Sequence, residues 1–492
     1  MLTIRADASP GIGTGHVMRC LALAQAAQEQ GMPVRVIGRI TVPWVLEKLA
    51  HTGIPLFTVS GDVPVAELPV DLLAQLGDDS DKGWVVLDGY HFGLDCQQAV
   101  RAAGYKLLVI DDYAHLPEYS CDILLNQNIG AEEFCYAGDV TVKLLGPNFA
   151  LLREEFIVAR NTLEERVFPP TPKKILFSLG GGEQVEKLNQ IITAFSRVAQ
   201  PGMEIKAIWG GLDAEKAKKA FTALPCSVEI LDNIDDIPSL MLWADYAISA
   251  GGSTCWELCC LGTPFTVEAL AENQSALARR LQERGIASSL HSLASIFTGN
   301  AADLLSGQSE QGRRCVGGDG AAVVIQACLE RLVRLRRARF DDRDFLLDMV
   351  NDSEIRKFAG TAKNVSAKEH DAWFAARLRS PQSCIFIAYA AHNPLPVGYI
   401  RFEESKGRAI LSVALAPRFH GRGLGYNVIV EGCRKFAKET GRILCIIAYV
   451  REDNPRALRV FEKAGFKRTG KMVPRYGVTL VEMSLLDIDC IL

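Results

Sequence analysis

The feature that most constrains the fold is a unit of strand, glycine-rich turn and helix that opens two blocks of the chain. Residues 2–6 form an apolar strand, and glycines at 11, 13 and 15 precede a helical pattern over residues 15–30. Residues 174–179 are followed in the same way by glycines 180–182 and an amphipathic pattern over residues 185–199. Further strands alternate with helices in both blocks, which is typical of βαβ units on a parallel sheet. We therefore predict two Rossmann-like domains, residues 1–150 and 151–334, facing a cleft at the carboxyl ends of their strands.

The third block, residues 335–492, has a different pattern. We expect it to follow a basic helix that ends near residues 334–337. Strands at residues 383–391 and 397–404 flank Asn393-Pro394 and predict a hairpin, a further strand covers residues 409–415, and a helix runs to Thr440. A meandering sheet with one late glycine-rich turn predicts a separate α+β domain.

The composition limits which binding partners and which cellular compartment we expect for this chain. The net charge of −4 argues against broad binding to nucleic acid or an anionic membrane, because either needs a basic face. No apolar run approaches the roughly 20 residues of a membrane span, and the start of the chain does not have the pattern of a signal peptide. The 14 cysteines are too sparse in 492 residues for a disulfide scaffold. We expect a cytoplasmic protein without a metal site. The sequence does not indicate the oligomeric state.

The first glycine loop carries a candidate general base. Gly13 and Gly15 permit positive φ and close approach of a substrate to backbone N–H groups, and His16 lies in the first turn of the helix. The positive end of the helix dipole disfavours imidazolium there, and a neutral imidazole is what a general base needs. The spacing is not that of a dinucleotide fingerprint. An equally good interpretation of His16 is a side chain that only satisfies a loop carbonyl.

A second strand, glycine turn and helix over residues 245–257 predicts half of a nucleotide-diphosphate site. Gly252, Ser253 and Thr254 would offer N–H and hydroxyl donors to a pyrophosphate, and Glu257 would accept the ribose hydroxyls. Alternatively, Ser253 and Thr254 are only helix caps and Glu257 a first-turn acid that the dipole favours. Two polar residues near the same cleft, Asn273 and Gln274, either bind substrate or cap the next helix.

Several separated motifs in residues 1–330 resemble the UDP-sugar hydrolase family of pseudaminic acid biosynthesis. They are Arg5-Ala6-Asp7-Ala8-Ser9, Gly13-Thr14-Gly15-His16-Val17-Met18-Arg19-Cys20-Leu21, Asp88-Gly89-Tyr90, Leu124-Leu125-Asn126-Gln127-Asn128, and the two stretches around residues 251–257 and 272–274. That family is similar to the glycosyltransferase that adds N-acetylglucosamine to lipid-linked muramyl peptide.

The resemblance implies a GT-B fold and a water activated by His16 that displaces UDP from a 2,4-diacetamido-2,4,6-trideoxy-altrose. It also implies sugar contacts from Tyr90 and Asn273, a substrate role for Arg19 within the opening motif, and a grip on UDP by Ser253, Thr254 and Glu257. Gly89 stands where this family is expected to have serine, which weakens the expectation for that loop.

The third block contains a candidate site for a coenzyme A pyrophosphate. Residues 421–425 form a glycine-rich turn between a strand and a helix, where successive N–H groups would bind the anion, and Asn454 opens a later helix. These motifs, with Asn351-Asp352, Arg356 and the stretch from His370 to Phe374, resemble the GNAT N-acetyltransferases and the amino-sugar acetyltransferase of the same pathway. Acetyl-CoA is then the co-substrate, and the residues expected to bind it are Arg418, Gly421, Arg422, Gly423, Leu424, Gly425 and Asn454. Asn454 is equally well explained as a helix N-cap.

Two positions of the third block depart from that family. His420 stands where many of these enzymes carry Gln or Arg, although Arg418 is near. Phe461 stands where a tyrosine often reprotonates the CoA thiolate, and phenylalanine has no proton to donate. Tyr449, Tyr476 or water must then supply that proton, and Tyr449 is retained as a weak candidate.

The sequence therefore predicts a bifunctional enzyme that acetylates the 4-amino group of a UDP-amino sugar and hydrolyses the product to free sugar and UDP. Three alternatives stay open. The chain is a UDP-sugar glycosyltransferase with an appended acetyltransferase, it serves a related nonulosonic acid pathway of the legionaminic type, or it is a nucleotide-sugar sensor that binds without turnover.

Overall fold

The computed structural model describes the chain apart from residues 60, 62–66, 78–81, 180–184, 209–213, 223, 232–233, 235, 330–331, 358–363, 391–394, 406, 422, 442–444, 476–477 and 487–492. Backbone contacts divide it into two units, Met1–Ile325 and Gln326–Leu492. Within the described residues no helix is long and apolar enough to cross a membrane. The predicted boundary at residue 150 lies inside the first unit and stays a prediction.

The first unit begins with a parallel sheet of seven strands in the order β3-β2-β1-β4-β5-β6-β7. Its strands are β1 Leu2–Ala6, β2 Val34–Gly38, β3 Leu56–Thr58, β4 Trp84–Asp88, β5 Lys106–Ile110, β6 Tyr119–Asn126 and β7 Gly138–Leu145. The helices of this part are α1 Gly15–Glu29, α2 Pro43–His51, α3 Leu68–Leu76, α4 Leu94–Ala102 and α5 Glu154–Asn161. The chain runs outward from β1 on one side and from β4 on the other, so a crevice opens at their carboxyl ends.

A second parallel sheet of five strands, in the order β10-β9-β8-β11-β12, completes the first unit. Its strands are β8 Lys174–Ser178, β9 Glu204–Ile208, β10 Ser227–Leu231, β11 Tyr246–Ala250 and β12 Phe265–Glu268. Its helices are α6 Val185–Ser196, α7 Ala214–Phe221, α8 Ile237–Trp243, α9 Thr254–Leu261, α10 Ser275–Glu283, α11 Leu293–Thr298, α12 Ala302–Cys315 and α13 Gly320–Leu329. Two Rossmann-like sheets flanked by helices confirm the predicted GT-B architecture.

Several central strands of both sheets are buried along their whole length. All five residues of β1, β4 and β11 are buried, as a parallel sheet covered by helices on each side requires. Cys255 and Cys259 are buried on α9, packed among apolar side chains. In the part of the chain that is described, no group of three His, Cys, Asp or Glu side chains is arranged to hold a metal.

The second unit has a mixed sheet of seven strands in the order β13-β14-β15-β16-β17-β19-β18. The strands are β13 Val333–Arg337, β14 Ser383–Ala390, β15 Pro396–Ser405, β16 Arg408–Leu415, β17 Cys445–Arg451, β18 Lys467–Arg475 and β19 Val478–Leu485. The helices are α14 Arg343–Asn351, α15 Ser353–Arg356, α16 Ala367–Arg379, α17 Leu424–Thr440 and α18 Pro455–Lys463. The predicted hairpin is confirmed as the antiparallel pair β14 and β15, although its turn at Asn393-Pro394 lies outside the described residues.

The basic helix expected to end near residues 334–337 is wrong, because this segment is strand β13, antiparallel to β14. Its side chains alternate with a period of two. Val333 and Leu335 pack against the core, whereas Arg336 points to the other face and donates hydrogen bonds to Asp342 and Tyr389. This strand alternation was hidden by the run of arginines, which resembles the end of an exposed helix.

Candidate functional site

The residues predicted to bind the sugar nucleotide all border one cleft of about 750 Å³ in the first unit. They are Gly13, Gly15, His16, Arg19, Tyr90, Gly252, Ser253, Thr254, Glu257, Asn273 and Gln274. The two glycine loops face each other there, since a Cβ atom on Gly15 would lie 3.9 Å from the hydroxyl oxygen of Ser253. Gly13 adopts φ +85°, which allows the loop to turn sharply into α1.

His16 is held by a buried carboxylate. Its Nδ1 lies 2.6 Å from Oδ1 of Asp88, the last residue of β4, which pairs directly with the end of β1. Although burial opposes ionisation, the charge of Arg19 and the hydrogen bonds from Arg19 and His16 hold the pKa of Asp88 well below its ordinary value. The ionised carboxylate accepts a hydrogen bond from the N–H at Nδ1, so the lone pair of the ring is on Nε2. This is the tautomer that a general base needs.

Arg19 is committed to two carboxylates. Its Nε and Nη2 donate to the two oxygens of Asp88 at 2.7 Å each, and its Nη1 donates to Oδ1 of Asp112 at 2.7 Å. The side chain is buried, and these two carboxylates keep its pKa above the ordinary value despite the opposing effect of burial. The geometry gives Arg19 the role of orienting Asp88, and its expected contact with substrate stays a prediction.

Tyr90 connects the two walls of the cleft. Its hydroxyl donates to Oδ2 of Asp112 at 2.8 Å and accepts from the amide nitrogen of Asn273 at 3.2 Å. Its ring stands edge-on to His16, with centroids 5.2 Å apart. Burial first, and then Asp112, raises its pKa, so the phenol stays protonated. At the unexpected Gly89, a Cβ atom would lie 2.8 Å from the ring of His91.

The opposite wall begins at the glycine turn before α9. Ser253 is in the N-cap position of α9, yet its side chain makes no capping hydrogen bond. The interpretation of Ser253 as a helix cap therefore does not account for its hydroxyl group. Glu257 lies one turn later, where burial raises its pKa and its Oε1 accepts a hydrogen bond from Arg153 at 3.0 Å. The side-chain oxygen of Gln274 accepts from the backbone nitrogen of Leu270 at 2.9 Å.

Sequence reasoning missed two acids that organise this cleft. Asp88 was part of a motif but not predicted as a site residue, and Asp112 was not singled out. Both follow strands of the first sheet, β4 and β5, at the edge where the carboxyl ends meet. That position was the available signal, because polar residues at the carboxyl ends of neighbouring parallel strands converge.

In the second unit, β16 and β17 are parallel but pair only between Arg408–Leu411 and Cys445–Ala448, so they separate beyond these residues. The predicted cofactor residues Arg418, Gly421, Gly423, Leu424 and Gly425 lie between the end of β16 and the start of α17, and Arg422 lies outside the described residues. Gly423 has φ +76°, as the N-terminal residue of this turn requires. The turn therefore presents the backbone at a helix N-terminus, as predicted.

The remaining predicted residues of the second unit have protein partners. The side-chain oxygen of Asn454 accepts from the backbone nitrogen of Ala457 at 3.1 Å, which gives it the N-cap geometry for α18. Phe461 is buried in the core. Tyr449 donates from its hydroxyl to Oε2 of Glu482 at 3.1 Å, and burial followed by Glu482 raises its pKa. The other candidate acid, Tyr476, lies outside the described residues.

Two family models match separate parts of the chain. Residues 175–288 match the "Glycosyltransferase family 28 C-terminal domain" and residues 332–467 match the "Acetyltransferase (GNAT) domain". The first lies in the sheet that carries β11 and α9, and the second lies in the mixed sheet.

The chain is also similar to several known proteins. The UDP-2,4-diacetamido-2,4,6-trideoxy-beta-L-altropyranose hydrolase of Campylobacter jejuni is 24% identical over 287 residues, covering 57% of this chain and 96% of the relative. The UDP-N-acetylglucosamine--N-acetylmuramyl-(pentapeptide) pyrophosphoryl-undecaprenol N-acetylglucosamine transferase of Acidithiobacillus ferrooxidans is 32% identical over 199 residues, covering 36% of this chain and 53% of the relative. The solved spermidine N-acetyltransferase of Vibrio cholerae, in complex with CoA and spermine, is 20% identical with a TM-score of 0.29, covering 31% of this chain and 95% of that chain.

The chain therefore joins a glycosyltransferase family 28 C-terminal domain and a GNAT acetyltransferase domain in one polypeptide.

Proposed function

We propose that the first unit hydrolyses UDP-2,4-diacetamido-2,4,6-trideoxy-β-L-altropyranose to the free sugar and UDP. Before that step, the second unit N-acetylates the 4-amino group of the precursor UDP-amino sugar with acetyl-CoA, and both steps belong to pseudaminic acid biosynthesis. The observation that carries the proposal is the pair of His16 and Asp88 in a cleft whose other wall holds a glycine turn at a helix start. The Campylobacter jejuni relative supports the choice of substrate.

In the hydrolytic step, Nε2 of His16 removes a proton from water while Asp88 holds the ring through Nδ1. The water oxygen forms a bond to the anomeric carbon, and the bond from that carbon to the diphosphate oxygen breaks. The electron pair of that bond leaves with UDP. Because a diphosphate is already a good leaving group, one base and a donor-rich site for the developing charge suffice.

The diphosphate would lie against the turn at Gly252, Ser253 and Thr254. Backbone N–H groups at a helix start attract an anion, and the hydroxyl of Ser253 is not used as a cap. Glu257, held by Arg153, has a second carboxylate oxygen to accept a ribose hydroxyl. Because backbone N–H groups would bind the diphosphate, a chain with a net charge of −4 needs no basic surface for this ligand.

In the acetyl-transfer step, the neutral amine attacks the thioester carbonyl, the carbon–sulfur bond breaks, and the CoA thiolate takes up a proton. The turn before α17 would hold the pyrophosphate of CoA at the helix start. Phe461 supplies no proton, so Tyr449 is the described tyrosine that we assign to the thiolate. The match to the GNAT domain supports acetyl-CoA as the co-substrate.

A glycosyltransferase is the second candidate for the first unit, and the 32% identical Acidithiobacillus ferrooxidans relative favours it. Both reactions break the same bond at the anomeric carbon, and they differ in whether water or a sugar hydroxyl attacks. A base already oriented by a buried carboxylate serves either nucleophile, so the acceptor decides between them.

The deciding experiment incubates the full chain with the UDP-diacetamido sugar in water enriched in oxygen-18. A hydrolase releases UDP without any acceptor and places the label on C1 of the free sugar, as mass spectrometry would show. His16→Ala should abolish release and retain UDP binding, whereas His51→Ala, an exposed histidine outside the cleft, should behave as wild type. UDP release only when a sugar acceptor is present would reject the hydrolase, and binding without release would indicate a sensor.

A further inference from the structure

Two buried amides of the cleft have no part in the proposed mechanism. Gln127 and Asn128 follow β6, are 2% and 8% exposed, and border the cleft. The loop that carries them is fixed, because the backbone nitrogen of Asn128 donates to Oδ1 of Asn126 at 2.8 Å, and the amide of Asn126 in turn donates to the hydroxyl of Tyr136 at 2.7 Å. Their side chains therefore present polar groups from a rigid support.

The orientation of the Gln127 amide follows from its partner. Its Oε1 accepts a hydrogen bond from the backbone nitrogen of Leu151 at 2.9 Å, and a backbone N–H can be matched only by the oxygen. The NH₂ group must then point the other way. Among the described residues it has no hydrogen-bond acceptor, so a donor at the cleft wall is left for a ligand or water.

The orientation of the Asn128 amide is opposite. Its Nδ2 donates to the backbone oxygen of Asp112 at 3.2 Å and to Oδ1 of the same residue at 3.1 Å, and both of these atoms are acceptors. The carbonyl oxygen of Asn128 is thereby turned away from Asp112. Within the described part of the chain this oxygen accepts no hydrogen bond.

The pair thus combines one free donor and one free acceptor on adjacent residues. A secondary amide has the complementary pair, a carbonyl oxygen and an N–H. A protonated amine has only donors, so it can bond Asn128 but leaves the NH₂ of Gln127 facing a second donor that carries a positive charge. Leaving a buried donor unsatisfied costs about 1–3 kcal/mol.

We propose that Gln127 and Asn128 form a subsite for an acetamido substituent of the sugar and select against the corresponding free amine. The inference rests on the proposed function, since it takes the ligand of the cleft to be an amino-sugar nucleotide. The location fits a sugar substituent: Asn128 bonds Asp112, which also bonds Arg19 and Tyr90 of the His16 network. The hydrolase would then favour the acetylated sugar over its unacetylated precursor.

The test measures affinity by calorimetry in full-length protein carrying His16→Ala, so that turnover does not interfere, and without acetyl-CoA. Two pairs of probes differ only in acetylation: the UDP-2,4-diacetamido sugar against its 4-amino precursor, and UDP-N-acetylglucosamine against UDP-glucosamine. The first pair reports on C4 and the second on C2. We expect a preference for the acetylated member of at least about tenfold in one pair, since a tenfold ratio corresponds to about 1.4 kcal/mol.

Gln127→Glu keeps the oxygen that faces Leu151 and replaces the donor by a charged acceptor. It should lower that preference at least about tenfold, because it weakens the binding of the acetamido ligand and strengthens the binding of the amine. The affinity for UDP should stay unchanged. Gln127→Met, which removes the amide without adding charge, should abolish the preference without reversing it. Gln25→Glu is the matched control, because the oxygen of Gln25 accepts from the backbone nitrogen of Glu154 at 3.2 Å outside the cleft.

The outcomes separate the two proposals. UDP release by wild type tests the hydrolase, whereas the affinity ratios test the subsite in inactive protein. If wild-type preference is absent in both pairs, or if Gln127→Glu and Gln127→Met retain it as Gln25→Glu does, the subsite assignment is overturned even when hydrolysis is observed. Unchanged thermal unfolding of the Gln127 variants confirms that the ratios report on folded protein.

Discussion

The substitution Asp88→Asn tests the central pair of the cleft with little change in shape. In the wild type, Oδ1 of Asp88 faces both Nδ1 of His16 and Nη2 of Arg19, and Oδ2 faces Nε of Arg19. An amide NH₂ in either position meets an N–H of Arg19. If it stands at Oδ2, His16 keeps a neutral acceptor; if it stands at Oδ1, it donates to Nδ1 and moves the ring proton to Nε2.

Both orientations impair the base, by different amounts. A hydrogen bond to a charged group contributes about 1.5–3 kcal/mol, so loss of the carboxylate charge alone predicts a decrease in kcat of roughly 10- to 150-fold. Inversion of the tautomer removes the basic lone pair, and in a serine protease triad the equivalent exchange lowers kcat by about 10⁴. We therefore expect a decrease of roughly 10- to 10⁴-fold, depending on the orientation that the amide adopts.

The assay is release of UDP from the diacetamido sugar nucleotide, with kcat and KM measured separately. Because Asp88 acts through His16, KM and the affinity for UDP should change by less than about threefold, whereas a general loss of structure would alter them as well. Thermal unfolding of the variant is measured beside them. If Asp88→Asn retains kcat within about threefold of wild type while His16→Ala is inactive, the orienting role of Asp88 is refuted.

Three further predictions concern stability and the second reaction. The guanidinium of Arg166 donates to backbone carbonyls at the ends of α8 and α9, and burial lowers its pKa to about 10. Arg166→Met should therefore lower the free energy of unfolding by about 3 kcal/mol, measured by urea titration. A loss below about 1 kcal/mol would contradict this account. Because the pKa of Asp88 is lowered in the folded protein, the unfolded chain binds more protons than the folded chain below about pH 4. The stability that ionised Asp88 contributes is therefore present above that pH and is lost as the pH decreases further. Calorimetry should show a shallower decline of stability with decreasing pH for Asp88→Asn than for wild type. Tyr449→Phe should lower kcat of acetyl transfer by about tenfold or more. Because burial and Glu482 raise the pKa of Tyr449, wild type should show no loss of this acid between pH 7 and about pH 9. Equal kcat in the variant would assign the proton to another donor.

Local patterns in the sequence were sufficient for most of the first unit. The strands at residues 2–6 and 84–88 are short and mostly apolar, and helical patterns follow them, so both the element and its place in a parallel sheet could be predicted. The segment Val333–Arg337 was misassigned because four of its residues fit either a strand or a helix end, and only pairing with β14 decides between them.

The parts of the cleft that escaped prediction depend on contacts between distant residues. Arg19 bonds Asp88 and Asp112, which lie 69 and 93 positions further along the chain, so its role as a support was not visible in the opening motif. The side chain of Gln127 was equally ambiguous, since the free end of its amide is decided by the backbone nitrogen of Leu151. Sequence spacing identifies which residues reach a strand end, but not which of their atoms are already paired.

The two reactions are linked by the chemistry of one nitrogen atom. Before acetylation the amine is a cationic donor, and afterwards it is a neutral amide with both a donor and an acceptor. A cleft wall that offers one group of each kind, as Gln127 and Asn128 do, distinguishes these two states without contacting the reacting bond. Hydrolysis of the unacetylated sugar nucleotide would discard its activated diphosphate before the acetyl group is added, so discrimination at this wall would enforce the order of the steps. Joining the two proposed activities in one chain would raise the local concentration of the acetylated intermediate. That advantage is useful only if the hydrolase leaves the precursor intact.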